Sequence, residues 1–144
     1  MCALNNCSFR NAILEKTSFD QSDLRGAVFS NIRLHKTKLT MLDLRKTTFV
    51  HCTFIGTDFK YSDLRGMNFD GQTFTGVAFD KTLLTGASFR NSVIRNVSFS
   101  SPITFSKKYY RAVRTIHFDG ATMDKLTYAA LKGMNADLSK VTII

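Results

Sequence analysis

The chain has no tryptophan, a single proline (Pro102) and only three cysteines in 144 residues. With one proline and no Pro/Gly/Ser-rich stretch there is no linker, so the sequence reads as one domain or one array. Three cysteines, an odd number at irregular spacing, do not make a disulfide framework and point to a reducing, cytoplasmic setting. No apolar run approaches the roughly 20 residues of a membrane span. The start, MCALNNCSFRN, has neither a long apolar core nor a basic leader, so no secretory signal is expected. Acidic residues are also scarce, 11 against 20 basic ones, giving a net charge of +9. That balance bears on partners rather than on fold.

Phenylalanine and leucine are plentiful. Hydrophobic residues make up 44% of the chain and 13 residues are Phe, far from the composition of a disordered segment. Their placement is periodic. Every fifth residue from Leu4 to Phe99 is Phe, Leu or Ile, twenty positions without exception. A period of five fits neither an α-helix nor a simple strand. Two residues before each centre the side chain is usually small (Cys7, Ala12, Thr17, Ser22, Ala27, Cys52), and two residues after it Gly or Asn recurs (Gly26, Asn31, Gly66, Asn91). Alternation in an extended segment turns the centre and the residue two before it inward. Gly or Asn then supplies the backbone angles of a corner. Five residues make one side of a coil.

A second period gives the number of sides. SDLRG at 22–26 returns unchanged at 62–66, with LDLRK between them at 42–46. Sorted by twenty, one column of centres is all Leu (Leu4, Leu24, Leu44, Leu64, Leu84) and the next all Phe (Phe9, Phe29, Phe49, Phe69, Phe89). Four sides therefore close one coil, and like stacks on like at the ~4.8 Å spacing of neighbouring strands. The expected fold is an all-β solenoid, with five coils over 1–101 and an irregular, partly helical cap over 102–144.

This pattern resembles the pentapeptide-repeat family, whose consensus is written A(D/N)LXX. The resemblance runs over 2–101 and returns as ADLSK at 136–140. It implies a right-handed quadrilateral β-helix, in agreement with the four columns. Some members, the quinolone-resistance pentapeptide proteins, resemble DNA in size and negative charge and bind type II topoisomerases. A chain at +9 departs from that pattern. Other members resemble adaptors or effectors that use the rod as a docking surface.

Beyond residue 101 the repeat breaks. SKKYYRAVR (106–114) suits a short helix capped by Ser106, and DKLTYAALKGM (124–134) suits a second. The five-spacing resumes at Phe118, 19 residues after Phe99, so either one coil is irregular or a helix bulges from the stack. Such helices would cover the open end of a solenoid. The first coil has no comparable cover, which suggests an end-to-end homodimer or a missing upstream domain.

Candidate chemistry is sparse. The cysteines fall at the small inward position, His35, His51 and His117 are scattered without a carboxylate at a recognisable spacing, and no Walker or Rossmann loop occurs. A rod filled with Leu and Phe offers no pocket for a small molecule. No enzyme, cofactor, metal or small-molecule substrate is expected. Interest shifts to the surface. Asp23, Asp43 and Asp63 flank the Leu column on one side and Arg25, Arg45 and Arg65 on the other, forming ladders that either neutralise each other or grip an acidic partner. Arg33, Lys36 and Lys38 make a basic segment of the second coil, and Lys107, Lys108, Tyr109, Tyr110, Arg111 and Arg114 crowd into the first cap helix. The reading that follows is a scaffold binding another protein through its flat faces or its cap. The alternative is a basic module for nucleic acid or another anionic surface.

Overall fold

The computed structural model describes residues 2–99 and 107–144, with Cys2 by its backbone alone. The expected Ser106 cap and the departure at Ser101–Pro102 lie outside the described residues.

Parallel strands stack with a shift of twenty residues, as in Phe9↔Phe29, Leu34↔Phe54 and Phe74↔Ile94. Four faces result. Face 1 carries the Leu4 column, face 2 the Phe9 column, face 3 the Leu14 column and face 4 the Phe19 column. Face 3 is the longest continuous sheet, seven short strands running from Ile13–Glu15 to Thr142–Ile143. Face 4 is held by isolated bridges such as Lys38↔Asp58 and Ala78↔Ser98.

From Leu24 to Phe99 every centre is buried, so the rod interior is a continuous column of Leu, Phe and Ile. The rings pack in two ways. Those above one another stack (Phe29 on Phe49, centroids 4.9 Å apart), and those across the rod meet edge to face (Phe69 and Phe74, 5.5 Å and 83°). Both are favoured geometries for the aromatic quadrupole. On the first coil Leu4, Phe9 and Leu14 are only half-buried, because no coil lies below them.

The small inward residue has a task that its size alone does not reveal. Thr47 Oγ1 donates to the Leu24 carbonyl (2.9 Å), Thr57 to Leu34 (3.1 Å) and Ser92 to Phe69 (2.8 Å), each twenty-three residues back, whereas Thr82 donates within its own coil to Phe79 (2.6 Å). Gln72 Nε2 repeats the bond to Phe49 (3.1 Å). Each of the longer bonds ties a corner to the coil below and satisfies a polar group inside an apolar rod. Among the described residues, no buried side-chain nitrogen or oxygen lacks a partner.

Corners take the left-handed conformation two residues after the centre. Glycine is one solution (Gly66, φ 69°) and asparagine another (Asn91, φ 57°). The same backbone also accepts Lys36 (φ 52°), Met41 (φ 56°) and Tyr61 (φ 62°), so the stack imposes the corner even where the residue does not favour it.

The C-terminal part resolves the phase change at Phe118. Phe118 continues the Phe column, stacked on Phe89 at 5.6 Å and 18°, twenty-nine residues later rather than twenty. The extra residues include helix α1 (Lys107–Arg114), which lies beside Thr82–Thr85 of face 1. Helix α2 (Lys125–Gly133) then fills the side positions between Met123 and Leu138, and the seventh strand of face 3 pairs Ile143 with Met123. Gly133 is thus the end of a helix and not a corner.

α2 also closes the edge of the fifth coil. Asp124 accepts the Thr127 N–H (3.3 Å) as helix cap, and through Oδ1 accepts the Asn96 N–H (2.8 Å). Thr127 Oγ1 accepts the Val97 N–H (3.2 Å). The Asn96 amide, whose counterparts Gly56 and Gly76 donate to the coil above, is thus paired with a side chain instead.

Candidate functional site

The charged ladders of face 1 pair within each repeat. Asp23 Oδ1 accepts both the backbone N–H (3.1 Å) and Nε (2.9 Å) of Arg25, and Oδ2 accepts Nη2 at 2.7 Å. The same fork holds Arg45 on Asp43 and Arg65 on Asp63, with Nη2–Oδ2 distances of 2.8 and 2.6 Å. Arg45 also reaches the next coil, Nε to Asp63 Oδ2 at 3.3 Å. Hydrogen bonds from Arg25 and Arg45 pull the Asp23 and Asp43 carboxyls down to about 2. Asp63 is lowered as well, first by Arg65. The three arginines are thus already engaged as bidentate donors.

The basic segment of the second coil wraps an edge of the rod. Arg33 and His35 point outward from face 3, Lys36 occupies the corner, and Lys38 lies on face 4 between Ser18 and Asp58. Arg33, Lys36 and Lys38 are exposed and make no ion pair among the described residues. His35 does have a carboxylate neighbour. Glu15, one coil below on the same face, places Oε1 3.5 Å from Nδ1. The twenty-residue register makes that neighbour, and no linear spacing rule would find it.

The third group, on α1, is different in kind. Lys107, Tyr110, Arg111 and Arg114 follow one another at helical spacing along one side, and with Asn135 they line a shallow depression of about 300 Å³. The opposite side is anchored. Val113 is buried in the core and the Tyr109 hydroxyl donates to the Phe99 carbonyl. Burial, and then the charge of Asp80, push the Tyr109 phenol up to about 12. Thr115 Oγ1 accepts the Gly86 N–H at 2.8 Å and fixes the helix exit.

The helix contains no acid, and Lys107, Lys108, Arg111 and Arg114 make no ion pair among the described residues. Lys107 and Lys108 also occupy the first turn, where the helix dipole disfavours positive charge by about 0.3–1 kcal/mol for each. The internal design of the helix is therefore poor unless an anion lies beside it.

The filled rod was expected to offer no pocket for a small molecule. A cleft of about 440 Å³ nevertheless opens on its flank, between Thr82–Thr85 of face 1 and the Lys108, Tyr109, Arg111, Ala112 and Val113 side of α1. Sequence periodicity describes the stack, and it is silent on the fit of the element that interrupts it.

Among the described residues, no three His, Cys, Asp or Glu side chains come together to hold a metal. The Cys52 thiol donates to the Phe29 carbonyl (3.3 Å), and burial raises its pKa, the reverse of what a nucleophile needs.

Fold and surface together define a four-sided β-solenoid with a basic helical cap. The chain belongs to the pentapeptide-repeat family, for the family model of the pentapeptide repeat region matches residues 2–79. Its structure is similar to Rfr23, a pentapeptide repeat protein of the cyanobacterium Cyanothece 51142, with a TM-score of 0.60, 19% identity, and 85% of this chain and 88% of that chain covered. It is also similar to HetL from Nostoc sp. strain PCC 7120, a pentapeptide repeat protein involved in heterocyst differentiation regulation, at a TM-score of 0.55 and 17% identity. That match covers 84% of this chain and 61% of HetL. QnrB1, a plasmid-mediated fluoroquinolone resistance protein, aligns at a TM-score of 0.35 and 13% identity over 92% of this chain and 82% of that chain, too loosely to carry an argument. No curated protein matches the chain. The likeness to Rfr23 and HetL establishes the fold, a right-handed quadrilateral β-helix.

Proposed function

We propose that the chain is a non-enzymatic scaffold that binds an acidic partner protein through α1 and the rod surface beside it. One contrast carries this reading. The arginines of the DLR ladder are each closed onto an aspartate, whereas the four cations of α1 make no ion pair among the described residues. A solvated cluster of like charges in one short helix is self-repulsive, and an acidic surface relieves it. Face 3 supports a protein partner too. It is flat, seven strands long, and turns mostly Thr and β-branched side chains outward (Thr53, Ile55, Thr73, Val93). Free cysteines suit a cytoplasmic setting.

A nucleic-acid partner is the second reading, and the net charge of +9 favours it. The arrangement of that charge weighs against it. The basic groups sit in separate places, around one edge of the second coil and on α1 beyond the fifth, and not along one stripe that could follow a phosphate backbone. Mimicry of DNA is disfavoured by the sign of the charge.

Fluorescence anisotropy separates these readings. Labelled polyglutamate and a labelled DNA duplex are titrated with the full chain across a salt series, beside a variant carrying Lys107→Glu, Lys108→Glu, Arg111→Glu and Arg114→Glu. Polyglutamate binding that weakens with salt and is lost in the variant supports the proposal. Duplex binding tighter than polyglutamate binding at every salt concentration would replace it with the nucleic-acid reading.

A further inference from the structure

We infer that face 3 is a contact surface between two antiparallel copies of this chain, set in register by Glu15 of each copy against Arg95 of the other. The inference goes beyond the proposed function and does not depend on it, since face 3 includes none of the α1 residues.

Each coil turns two side chains outward on face 3, one on either side of the buried centre. The first coil presents Ile13 and Glu15, the second Arg33 and His35, and the fifth Val93 and Arg95. Between them the third and fourth coils offer only Thr and Ile side chains, so charge lies at the two ends of a flat, uncharged middle. Three of these groups lack cover. Ile13 is 70% exposed. Arg95 is exposed and makes no ion pair among the described residues. Glu15 has His35 at 3.5 Å, yet its side chain remains 59% exposed.

A two-fold contact is isologous, so the face has to complement itself. With the rods parallel, the two outward rows meet each other coil by coil, which sets Arg33 against His35, Ile13 against Glu15 and Val93 against Arg95. With the rods antiparallel, each row meets itself in reverse order. Centred on the third coil, that arrangement sets Glu15 against Arg95, Ile13 against Val93 and Ile55 against its own copy, while Arg33 and His35 meet Thr73 and Thr75. The neighbouring registers fail. Half a coil up, Glu15 meets Asp124 and His35 meets Arg95; a whole coil up, Arg95 faces Ile55; half a coil down, Glu15 meets Thr75 and Arg95 is left out. Like charges opposed and charges without partners thus exclude the alternatives, and one register remains.

Five rungs about 4.8 Å apart make a contact of roughly 600–800 Å² in total, small for a stable complex. Association is therefore weak, with a Kd on the order of 0.1–1 mM, and the two Glu15–Arg95 pairs decide whether it forms. The dimer would carry one α1 at each end.

Sedimentation velocity on the full chain from about 10 μM to about 1 mM reads the association. Glu15→Arg and Arg95→Glu, both at exposed positions, are each expected to keep the circular dichroism of the parent and to weaken self-association about tenfold or more. Mixed one to one, the two variants are expected to associate as the parent does, because every contact between unlike chains is then a native or a reversed ion pair. A parent that stays monomeric up to about 1 mM would overturn the inference. So would association that both variants retain, which puts the contact elsewhere, as in an end-to-end dimer through the half-buried first coil. Loss in both variants without recovery on mixing would overturn the pairing of Glu15 with Arg95, and the register with it.

Discussion

The rings of Phe54 and Phe74 lie with centroids 4.9 Å apart and planes within 3° of parallel, one coil above the other. Both are fully buried, and each also meets Phe69 edge to face, Phe54 at 6.0 Å and Phe74 at 5.5 Å. Removing one ring therefore leaves a cavity bounded by coils whose spacing is fixed by backbone hydrogen bonds, and it cannot collapse. Phe54→Ala is expected to lower stability by about 3–5 kcal/mol, read as a fall in the urea midpoint. Phe49→Asp, which puts a charge into the Phe column, is expected to abolish cooperative unfolding altogether.

Arg45 links two coils, and its partners give the rod a pH dependence with a definite sign. Asp43 is held at about 2 in the folded chain against an ordinary value of 3.8, chiefly by the Arg45 hydrogen bonds, and Asp63 is lowered in the same direction. A carboxyl with a depressed folded-state pKa stabilises the fold above its unfolded pKa and ceases to do so as pH falls through the folded one. Stability should be level from neutral pH down to about 4–5 and then decline toward pH 2. Asp43→Asn should be less stable than the parent at pH 7 and equal to it near pH 2. Urea midpoints across that range check both points.

The corners show how far residue preference can be overruled. Gly and Asn mark them in the sequence because those residues tolerate positive φ, yet Met41 holds φ 56° with its side chain 75% exposed. A non-glycine residue in that conformation costs about 1–2 kcal/mol, while glycine gives back about 0.5–1 kcal/mol in unfolded-chain entropy. Met41→Gly should accordingly leave the fold intact and raise stability by up to about 1 kcal/mol, measured by thermal or urea unfolding.

The repeat made the fold legible, since a five-residue period within a twenty-residue one specifies both the sides and the stacking partners. The inward and outward assignment at Phe54, the Leu column at Leu64 and the helix at 107–114 all follow from local pattern. What did not follow were relations between residues that no period connects. Phe118 looked one step out of phase with Phe99, and it proves to be in register with Phe89 once α1 is excised from the count. The Thr47 hydroxyl looked like a small filler, and its bond to the Leu24 carbonyl needs the coil closed before it can be seen.

Asp124 joins the helical cap to the β-helix, so its loss should be felt in both. It accepts the Thr127 N–H at the start of α2 and the Asn96 N–H on the edge of the fifth coil. Burial raises the cost of its charge, but the hydrogen bonds from Thr127 and Asn96 outweigh this and leave its pKa lowered. Asp124→Ala removes a helix cap, worth about 0.5–2 kcal/mol, and uncovers an edge amide. Faster amide exchange is expected at Asn96 and through the first turn of α2, while Leu34 in the second coil should exchange as before.

The DLR repeat draws the eye as a displayed motif, and its geometry assigns it a different task from α1. Each arginine fork already rests on an aspartate, and engaging an outside carboxylate would exchange one bidentate pair for another with little net gain. The α1 cations have no such pair to give up. Substituting Arg25, Arg45 and Arg65 together by Gln should therefore lower stability and flatten its acid dependence, yet leave polyglutamate binding at low salt within about twofold of the parent. The α1 substitutions should do the opposite, abolishing binding with little change in the urea midpoint. If the ladder variant instead loses binding while remaining folded, the aspartates do not hold their arginines in solution, and face 1 becomes the docking surface in place of the cap.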